Sequence, residues 1–347
     1  MEMKYIDLHC DTLMQAFIKE KTDIFRFDEA MVDVSRLKRA GAEAQFFAIF
    51  MPDDGCEVHF GKEIPGDQEY IRQLYGIFRN TLEGHPDDIA FAGSQEELRE
   101  NREAGRISAL LTLEDGRAAA GEIRKLEQFY DMGIRLISLT WNNANCFGFP
   151  NSTDPAVMEQ GLTPFGKEAV RRMEELGMIV DVSHLSDGGF RDVAELLKGP
   201  FLASHSNCRE LAPHPRNLTD EMLRTIGEHG GVAGLNLYSR FLNKDAACEY
   251  SRVDDMAAHI RHMVKVGGIE CAAIGTDFDG MEGRLEIGNP CQMELLFDRL
   301  AREGFVQEEI EKIAYKNARR FLQDVLPECR TGVRSGEASA QKGSEDK

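Results

Sequence analysis

The chain has 347 residues, and its 60 Asp and Glu side chains outnumber 41 Lys and Arg, so the formal net charge is −19. Proteins that bind nucleic acid or anionic membranes need a basic face against the phosphates, and this charge excludes both as expected partners. Hydrophobic residues make up 42% of the sequence, which excludes a disordered or fibrous chain and is typical of a globular protein with a large core.

No apolar run reaches the roughly 18–20 residues that cross a bilayer. The first residues, MEMKYIDLHCD, lack the basic and apolar regions of a signal peptide, so we expect a cytoplasmic protein. The cysteines are scattered without a CxxC pair, and we expect free thiols. They are Cys10, Cys56, Cys146, Cys208, Cys248, Cys271, Cys291 and Cys329.

Short runs rich in β-branched residues alternate with longer amphipathic stretches along the chain. The runs cover residues 5–11, 44–50, 107–114, 134–141, 178–184, 200–206, 231–237 and 271–277. Strands that alternate with helices are typical of βαβ units with parallel pairing. Eight such units predict the α/β class and a (β/α)₈ TIM-type barrel.

The predicted helices show apolar positions recurring at intervals of three and four residues. The clearest covers residues 163–176, TPFGKEAVRRMEEL, with Gly177 as its C-cap. The others cover residues 69–82, 119–131, 189–197, 219–228, 254–266, 292–303 and 306–321.

Two regions depart from this alternation. The long connection 51–93 predicts an extra loop beside the barrel mouth, and residues 328–347 are small, polar and rich in Gly and Ser, which is typical of a disordered tail. We therefore predict one catalytic barrel over residues 1–327 and a disordered polar tail over 328–347.

Catalysis in (β/α)₈ barrels takes place at the C-terminal ends of the strands, where the loops converge. Five of the eight predicted strands end in His, Asp or Glu. These residues are His9 and Asp11 after the first run, Glu114 after the third, His184 and His205 after the fifth and sixth, and Asp277 after the eighth. Each one alone is compatible with a polar turn or a hydrogen-bonded histidine, but their shared position at one end of the sheet predicts a metal centre.

The number of candidate ligands indicates more than one ion. Three histidines with two carboxylates exceed the three protein ligands that one catalytic zinc usually takes, so two metals sharing a carboxylate fit better. Such a pair generates hydroxide that attacks a polarised carbonyl. Imidazole with carboxylate favours two Zn²⁺, with Mn²⁺, Co²⁺ and Fe²⁺ as alternatives.

Five segments together resemble the zinc-dependent renal (membrane) dipeptidases, peptidase family M19, among the amidohydrolase-like barrels. They are IDLHCDTL at 6–13, LTLEDG at 111–116, DVSHLS at 181–186, ASHSNCRELAPHPRN at 203–217 and IGTDFDG at 274–280. They occur in the order of that family and span nearly the whole chain except the tail. The resemblance implies a binuclear zinc dipeptidase.

The resemblance also implies a role for each site residue. His9 and Asp11 would hold one ion, His184 and His205 the other, and Glu114 would bridge them. Arg216 would bind the carboxylate of the substrate, which suits its planar guanidinium. Asp277 would transfer the proton, although Asp279 can share its face and stays an alternative.

One position departs from that family. The renal enzymes have a His after the fourth strand that is expected to steady the carbonyl oxygen in the transition state, whereas this chain has Trp141, followed by Asn142 and Asn143. An indole can only donate a hydrogen bond, so Trp141, Asn142, Asn143 or the second metal would take over that role. Trp141 is alternatively a packing residue, and its effect on substrate preference stays open.

The sequence thus predicts a metal-dependent dipeptidase that hydrolyses dipeptides, with L-Xaa-D-Xaa substrates among the candidates because the resembled family tolerates D-configured C-terminal residues. One alternative is an amidohydrolase-like enzyme acting on a cyclic amide, a lactone or an N-acyl amino acid. The other is a barrel that binds metal or peptide without turnover. A homodimer is one expected assembly, since dimers are common in that family.

Overall fold

The computed structural model describes residues 3–53, 61–245 and 247–329. Residues 330–347 of the predicted tail, and residues 54–60 of the predicted extra loop, which include Cys56, lie outside the described residues. The backbone of Glu96 donates a hydrogen bond to the carbonyl of Glu328, at 3.1 Å.

The strands of the described residues follow the predicted alternation. They are β1 (Tyr5–Cys10), β2 (Ala42–Phe50), β3 (Ile89–Phe91), β4 (Ile107–Glu114), β5 (Ile134–Ser138), β6 (Ile179–Asp181), β7 (Leu202–Ala203), β8 (Val232–Leu235), β9 (Tyr250–Ser251), β10 (Ala272–Ile274) and β11 (Arg284–Leu285). Each of the eight predicted runs overlaps one barrel strand, and β3, β9 and β11 are additional.

The helices surround these strands. They are α1 (Thr12–Ile18), α2 (Val34–Arg39), α3 (Asp67–Gly84), α4 (Gln95–Glu103), α5 (Ile123–Met132), α6 (Pro155–Met158), α7 (Pro164–Leu176), α8 (Asp187–Leu196), α9 (Asp220–Glu228), α10 (Ser239–Leu242), α11 (Val253–Gly267), α12 (Glu294–Arg302), α13 (Gln307–Glu311) and α14 (Asn317–Val325). Two 3₁₀ turns, Gly116–Ala119 and Pro290–Gln292, and a π turn, Lys312–Lys316, complete them.

Eight parallel strands close into a barrel in the order β1, β2, β4, β5, β6, β7, β8 and β10, with β10 pairing to β1. The short strand β3 pairs only with the beginning of β4, outside this ring. The predicted (β/α)₈ barrel is therefore confirmed.

The interior of the barrel is apolar below the strand ends. One buried cluster contains at least one side chain from each of the eight strands, including Ile6, Leu110 and Val232, together with Phe321 and Leu322 of α14. Because apolar residues fill this half of the barrel, the polar side chains are left at the C-terminal strand ends.

Helix α7 shows how local sequence sets an element's limits. The side chain of Thr163 accepts a hydrogen bond from the backbone of Gly166 at the N-cap, and Gly177 ends the helix with φ 70°. This helix was predicted with these ends. In contrast, α5 begins at Ile123 rather than at 119, because Ala120 and Gly121 have positive φ and interrupt the helix.

Candidate metal centre

Glu114, at the end of β4, lies between the pair His184 and His205 on one side and His9 with Asp11 on the other. Its Oε1 is 3.0 Å from Nε2 of His184 and 3.4 Å from Nε2 of His205, and these two nitrogens are 3.1 Å apart. Its Oε2 is 3.4 Å from Nε2 of His9, which is also 3.4 Å from Oδ2 of Asp11. Each carboxylate oxygen thus faces a different group, as a bridging ligand must.

The spacing of these atoms fits metal coordination. Bonds of 2.0–2.1 Å in a tetrahedral zinc site place neighbouring ligand atoms about 3.3 Å apart, and the observed separations are 3.0–3.4 Å. Buried His9 Nε2 and Asp11 Oδ1 have no hydrogen-bond partner among the described residues. Buried polar atoms left without a partner are costly, so the donor set fits a metal centre.

Electrostatics also prepare the histidines as ligands. Burial, together with the positive charge of Arg216, lowers the pKa of His184 to about 4. Burial lowers the pKa of His205 well below its ordinary value as well. Both rings are therefore neutral near pH 7, and a neutral imidazole is the form that binds metal.

On the other side of Glu114 the pKa of the histidine is raised rather than lowered. Burial opposes the charged form of His9, but the carboxylates of Glu114 and Asp11 outweigh it and raise the pKa of His9 well above its ordinary value. Burial raises the pKa of Asp11, and Glu114 adds to this by repulsion. Divalent cations would relieve this repulsion among carboxylates.

Two site residues have left-handed backbone conformations, which are strained for residues other than glycine. The φ angle is 67° at His184 and 64° at Asp277. The carbonyl of His184 is held by the backbone of Asn151 at 2.7 Å and by the hydroxyl of Thr140 at 3.3 Å. These hydrogen bonds therefore help to maintain the strained turn at His184.

The two aspartates that the sequence left open have different contacts in the structure. Oδ2 of Asp277 accepts a hydrogen bond from Asn236 at 2.8 Å, and its Oδ1 faces Nε2 of His9 at 3.9 Å. In contrast, Asp279 accepts hydrogen bonds from the hydroxyl of Thr12 and from the backbone of Met31, both at 2.6 Å. Asp279 is therefore committed to holding neighbouring loops.

Arg216 is buried beside the histidines. It donates to Oγ of Ser206 at 2.5 Å and to the carbonyl of His205 at 2.8 Å, and Phe241 covers its guanidinium at 5.7 Å. Its Nε has no hydrogen-bond partner among the described residues. Burial lowers the pKa of Arg216 to about 10, so it remains charged near neutral pH.

A pocket of about 210 Å³ opens above the cluster. Trp141 forms one wall, with its ring packed edge to face against Phe50 at 4.7 Å and 6.3 Å from the ring of His184. The remaining lining residues include Asn142, Tyr238, Phe241, Met14 and Asp277. Trp141 and Asn142 thus both line this pocket, whereas Arg216 lies beside it, next to its lining residue Phe241.

Sequence reasoning missed the polar residues that support this cluster. Asn236 donates to Asp277, and Ser206 accepts from Arg216. Ser204 contacts Nδ1 of His205 and donates its hydroxyl to Asp181. The only signal for Asp181 was an ionisable residue inside the apolar run 178–184, where burial requires hydrogen-bond partners.

A closed parallel barrel with histidines and carboxylates converging at its C-terminal strand ends defines the class of metal-dependent barrel hydrolases. Residues 1–329 match the model of the membrane dipeptidase family, peptidase family M19. The chain belongs to this family and is a metal-dependent dipeptidase. Among its described residues, no helix is both long enough and apolar enough to cross a bilayer.

Two curated relatives and two solved structures are similar to this chain. An uncharacterized protein of Klebsiella pneumoniae is 32% identical over 76% of this chain and 98% of its own length. An uncharacterized dipeptidase of Schizosaccharomyces pombe is 29% identical over 80% of this chain and 69% of its own length. The structure of a family M19 dipeptidase named AC has a TM-score of 0.85 at 24% identity, covering 94% of this chain and 99% of that one.

A metallopeptidase of Rhodobacter sphaeroides, solved with a phosphinate mimic of the dipeptide L-Ala-D-Ala, has a TM-score of 0.84 at 24% identity. The match covers 94% of this chain and 100% of that one. At these identities the structural matches show the fold.

Proposed function

We propose that this dipeptidase hydrolyses L-Xaa-D-Xaa and L,L dipeptides at a centre of two Zn²⁺ bridged by Glu114. The observation that carries the proposal is the placement of the two Glu114 oxygens, one facing His184 and His205 and the other facing His9. The phosphinate mimic of L-Ala-D-Ala bound by the Rhodobacter sphaeroides relative supports the choice of substrate class.

The chain's own residues would hold the metals in two sets. His9 and Asp11 supply one set, His184 and His205 the other, and Glu114 belongs to both. Divalent ions held there would lower the pKa of a water molecule and polarise the scissile carbonyl. The mixture of imidazole and carboxylate donors supports Zn²⁺ among the divalent metals.

Arg216 would bind the free carboxylate of the dipeptide. Hydrogen bonds to Ser206 and His205 fix the plane of the guanidinium, while Nε has no partner among the described residues. A buried, charged and preoriented guanidinium is the group best suited to recognising a carboxylate. This contact would place the scissile bond over the metal centre.

Asp277 would carry the proton of the reaction. Asn236 fixes one of its oxygens, and the other faces the centre, so it can accept a proton from the attacking water and pass it to the leaving amine. Burial raises its pKa to about 6, close to the pH at which proton transfer in both directions is efficient.

Trp141 and Asn142 would contact the substrate at the mouth. The indole N–H and the amide of Asn142 are the donors offered where the resembled enzymes have a histidine. The aromatic wall of Trp141 and Phe50 would favour apolar side chains on the substrate.

The first experiment measures amine release from a panel of L,L and L,D dipeptides, using chelator-treated protein before and after Zn²⁺ is restored. We expect zinc-dependent release, with metal analysis giving two ions per chain. Release from a cyclic amide, lactone or N-acyl amino acid alone would contradict the dipeptide assignment. Bound metal with no turnover of any panel member would contradict the enzymatic role.

Substitution of Arg216 by Gln tests carboxylate recognition. Loss of a buried charged hydrogen-bond partner costs about 2–5 kcal/mol, so kcat/KM for a dipeptide should fall about 30-fold or more. The matched control is the same dipeptide with an amidated C-terminus, which lacks the carboxylate and should show little difference between wild type and variant. Equal losses for both substrates would contradict a contact with the carboxylate.

The cytoplasmic location and the homodimer remain predictions from the sequence. Cell fractionation tests the first, and sedimentation of the full chain at micromolar concentration tests the second.

A further inference from the structure

A chain of hydrogen bonds reaches His205 from the interior of the barrel. Asp181, at the end of β6, accepts the hydroxyl of Ser204 at 2.6 Å, and the same Oγ lies 2.7 Å from Nδ1 of His205. All three residues are buried. The chain therefore connects a carboxylate to the side of the imidazole that faces away from Glu114.

The hydrogen bonds of Asp181 fix the direction of this chain. Its Oδ1 accepts the backbone N–H groups of Ser183 and Ser204, each at 2.9 Å, and its Oδ2 accepts the hydroxyls of Ser138 and Ser204, each at 2.6 Å. Four donors occupy the acceptor sites of a carboxylate. The single hydroxyl proton of Ser204 is therefore directed at Asp181.

The oxygen of Ser204 must then accept at its contact with His205. This contact requires a proton on Nδ1 of the imidazole, which leaves the lone pair of Nε2 directed at Glu114 and the metal position. Hydrogen bonds of this kind are the usual means of fixing the tautomer of a metal-binding histidine. His184 differs, because its Nδ1 has no hydrogen-bond partner among the described residues.

We propose that Asp181 and Ser204 are positioning residues that lock His205 in the Nδ1–H tautomer and thereby strengthen metal binding on its side of Glu114. This inference rests on the metal centre proposed above. It concerns the binding of metal, and its test needs no substrate.

The first test compares Ser204→Ala with Ser138→Ala. Both variants remove one hydroxyl from Oδ2 of Asp181, but only the former breaks the link to His205. Release of zinc from the loaded, full-length chain is followed with a coloured chelator. We expect release about 10–100 times faster from Ser204→Ala, the usual effect of losing such a partner, and within about threefold of wild type for Ser138→Ala.

The second test uses Asp181→Asn, which should reverse the chain. Because two backbone N–H groups point at the Oδ1 position, the amide oxygen must stay there, and the NH₂ group faces Ser138 and Ser204. Ser204 would then accept from the amide and donate its own proton to Nδ1 of His205. The proton of the ring would move to Nε2, where it opposes metal binding.

Long-range ¹H–¹⁵N spectra of the full chain with labelled histidine report the tautomer directly, and His205→Gln identifies the signal. We expect Nδ1–H in the metal-depleted wild type and Nε2–H in metal-depleted Asp181→Asn. A wild-type ring protonated on Nε2, or Ser204→Ala releasing zinc at the wild-type rate, would overturn the proposal. Failure of dipeptide hydrolysis alone would leave both readouts intact and would refute only the proposed function.

Discussion

At the scale of single residues, two aspartates that lie in the same turn differ in their contacts, and the proposed roles follow from that difference. Asp277 faces His9, while both oxygens of Asp279 accept hydrogen bonds, one from the hydroxyl of Thr12 and one from the backbone of Met31. Only a carboxyl that faces the reacting groups can exchange protons with them. The pair therefore provides a natural control for the proton-transfer role.

We expect Asp277→Asn to retain its metal and to lose about 10²–10⁴-fold in kcat, the usual contribution of a general acid–base group. The amide oxygen can still accept the hydrogen bond from Asn236, so the turn should persist. Kinetics with metal analysis on the same sample checks this. Asp279→Asn should instead lower the unfolding temperature and keep kcat per loaded site within about tenfold of wild type. A large loss of kcat in Asp279→Asn but not in Asp277→Asn would exchange the two roles.

The ligand residues could be found from the sequence because a histidine or carboxylate at the end of an apolar strand is unusual. Their partners could not. Ser204 and Asn236 are residue types common in any strand or turn, and what marks them is a contact with an aspartate 23 or 41 positions away. Long-range hydrogen bonds of this kind leave no periodic signal in the sequence.

At the scale of elements, the turn after β10 must approach the carboxylates closely. A Cβ at Gly280 would lie 2.0 Å from Oδ2 of Asp11 and 2.8 Å from Oδ1 of Asp277. Asp11 cannot give way without leaving its place in the candidate metal centre, and Asp277 cannot give way without turning from His9. The glycine therefore allows the turn to pack against the site.

We expect Gly280→Ala to weaken metal binding by about 10–100-fold, as displaced ligand supports do, with a matching loss of activity at limiting zinc. Gly288→Ala is the control, since a Cβ there would meet only Oε1 of the flexible Gln292 at 3.6 Å. Zinc titration of both full-length variants checks the prediction. Equal zinc affinity in the two variants would contradict it.

The sequence predicted long elements better than short ones. Helix α7 has thirteen residues with a Thr cap and a terminal Gly, so periodicity and capping agree. In contrast, α1 has seven residues, five of them buried, and β3 has three residues. Such short elements provide too few positions to count a period, and α1 follows β1 after a single residue, without a turn signal.

A buried histidine on α11 joins two neighbouring segments. His259 accepts the backbone N–H of Cys208 on Nδ1 at 3.1 Å and faces the carbonyl of Leu242 with Nε2 at 3.0 Å. Burial lowers its pKa to about 4. The folded protein therefore holds this ring neutral, whereas the unfolded chain protonates it at its ordinary pKa of about 6.5.

This difference makes stability depend on pH. The unfolded chain binds one more proton between pH 6.5 and 4, so the contribution of neutral His259 is complete above 6.5 and is lost as the pH falls to 4. At 1.36 kcal/mol per pH unit the loss is about 3 kcal/mol. Urea unfolding of metal-free wild type and His259→Asn between pH 7.5 and 4.5 should show the steeper decline in the wild type, and parallel curves would contradict this.

At the scale of the whole molecule, the metal centre joins strands that are distant in sequence. His9 and Asp277 are separated by most of the chain and meet because β1 pairs with β10. Glu114 ends β4, and His184 and His205 follow β6 and β7. Alternation of strands and helices predicted this convergence, because a parallel barrel brings all strand ends together. Which residues each Glu114 oxygen faces depends on side-chain geometry, and the alternation of strands and helices does not determine that.

Metal removal should therefore destabilise the entire barrel. Ions that bind only the folded chain stabilise it by about 4 kcal/mol at a thousand times Kd, which corresponds to about 6 °C in unfolding temperature for a chain of this length. Removal also leaves Asp11, Glu114 and Asp277 close together in a buried cluster. We expect chelation to lower the unfolding temperature of the full chain by about 6 °C, and added zinc to restore it.

The control for this experiment is Glu114→Gln. Its neutral amide cannot serve as an anionic ligand to both ions, so the variant should hold less zinc. Chelation should then shift its unfolding temperature by less than about 3 °C. Calorimetry of both proteins, with metal content measured before and after chelation, checks the comparison. An equal shift in wild type and variant would show that the stabilising ion binds elsewhere, because Glu114 is the only residue whose oxygens face both groups in the described part of the chain.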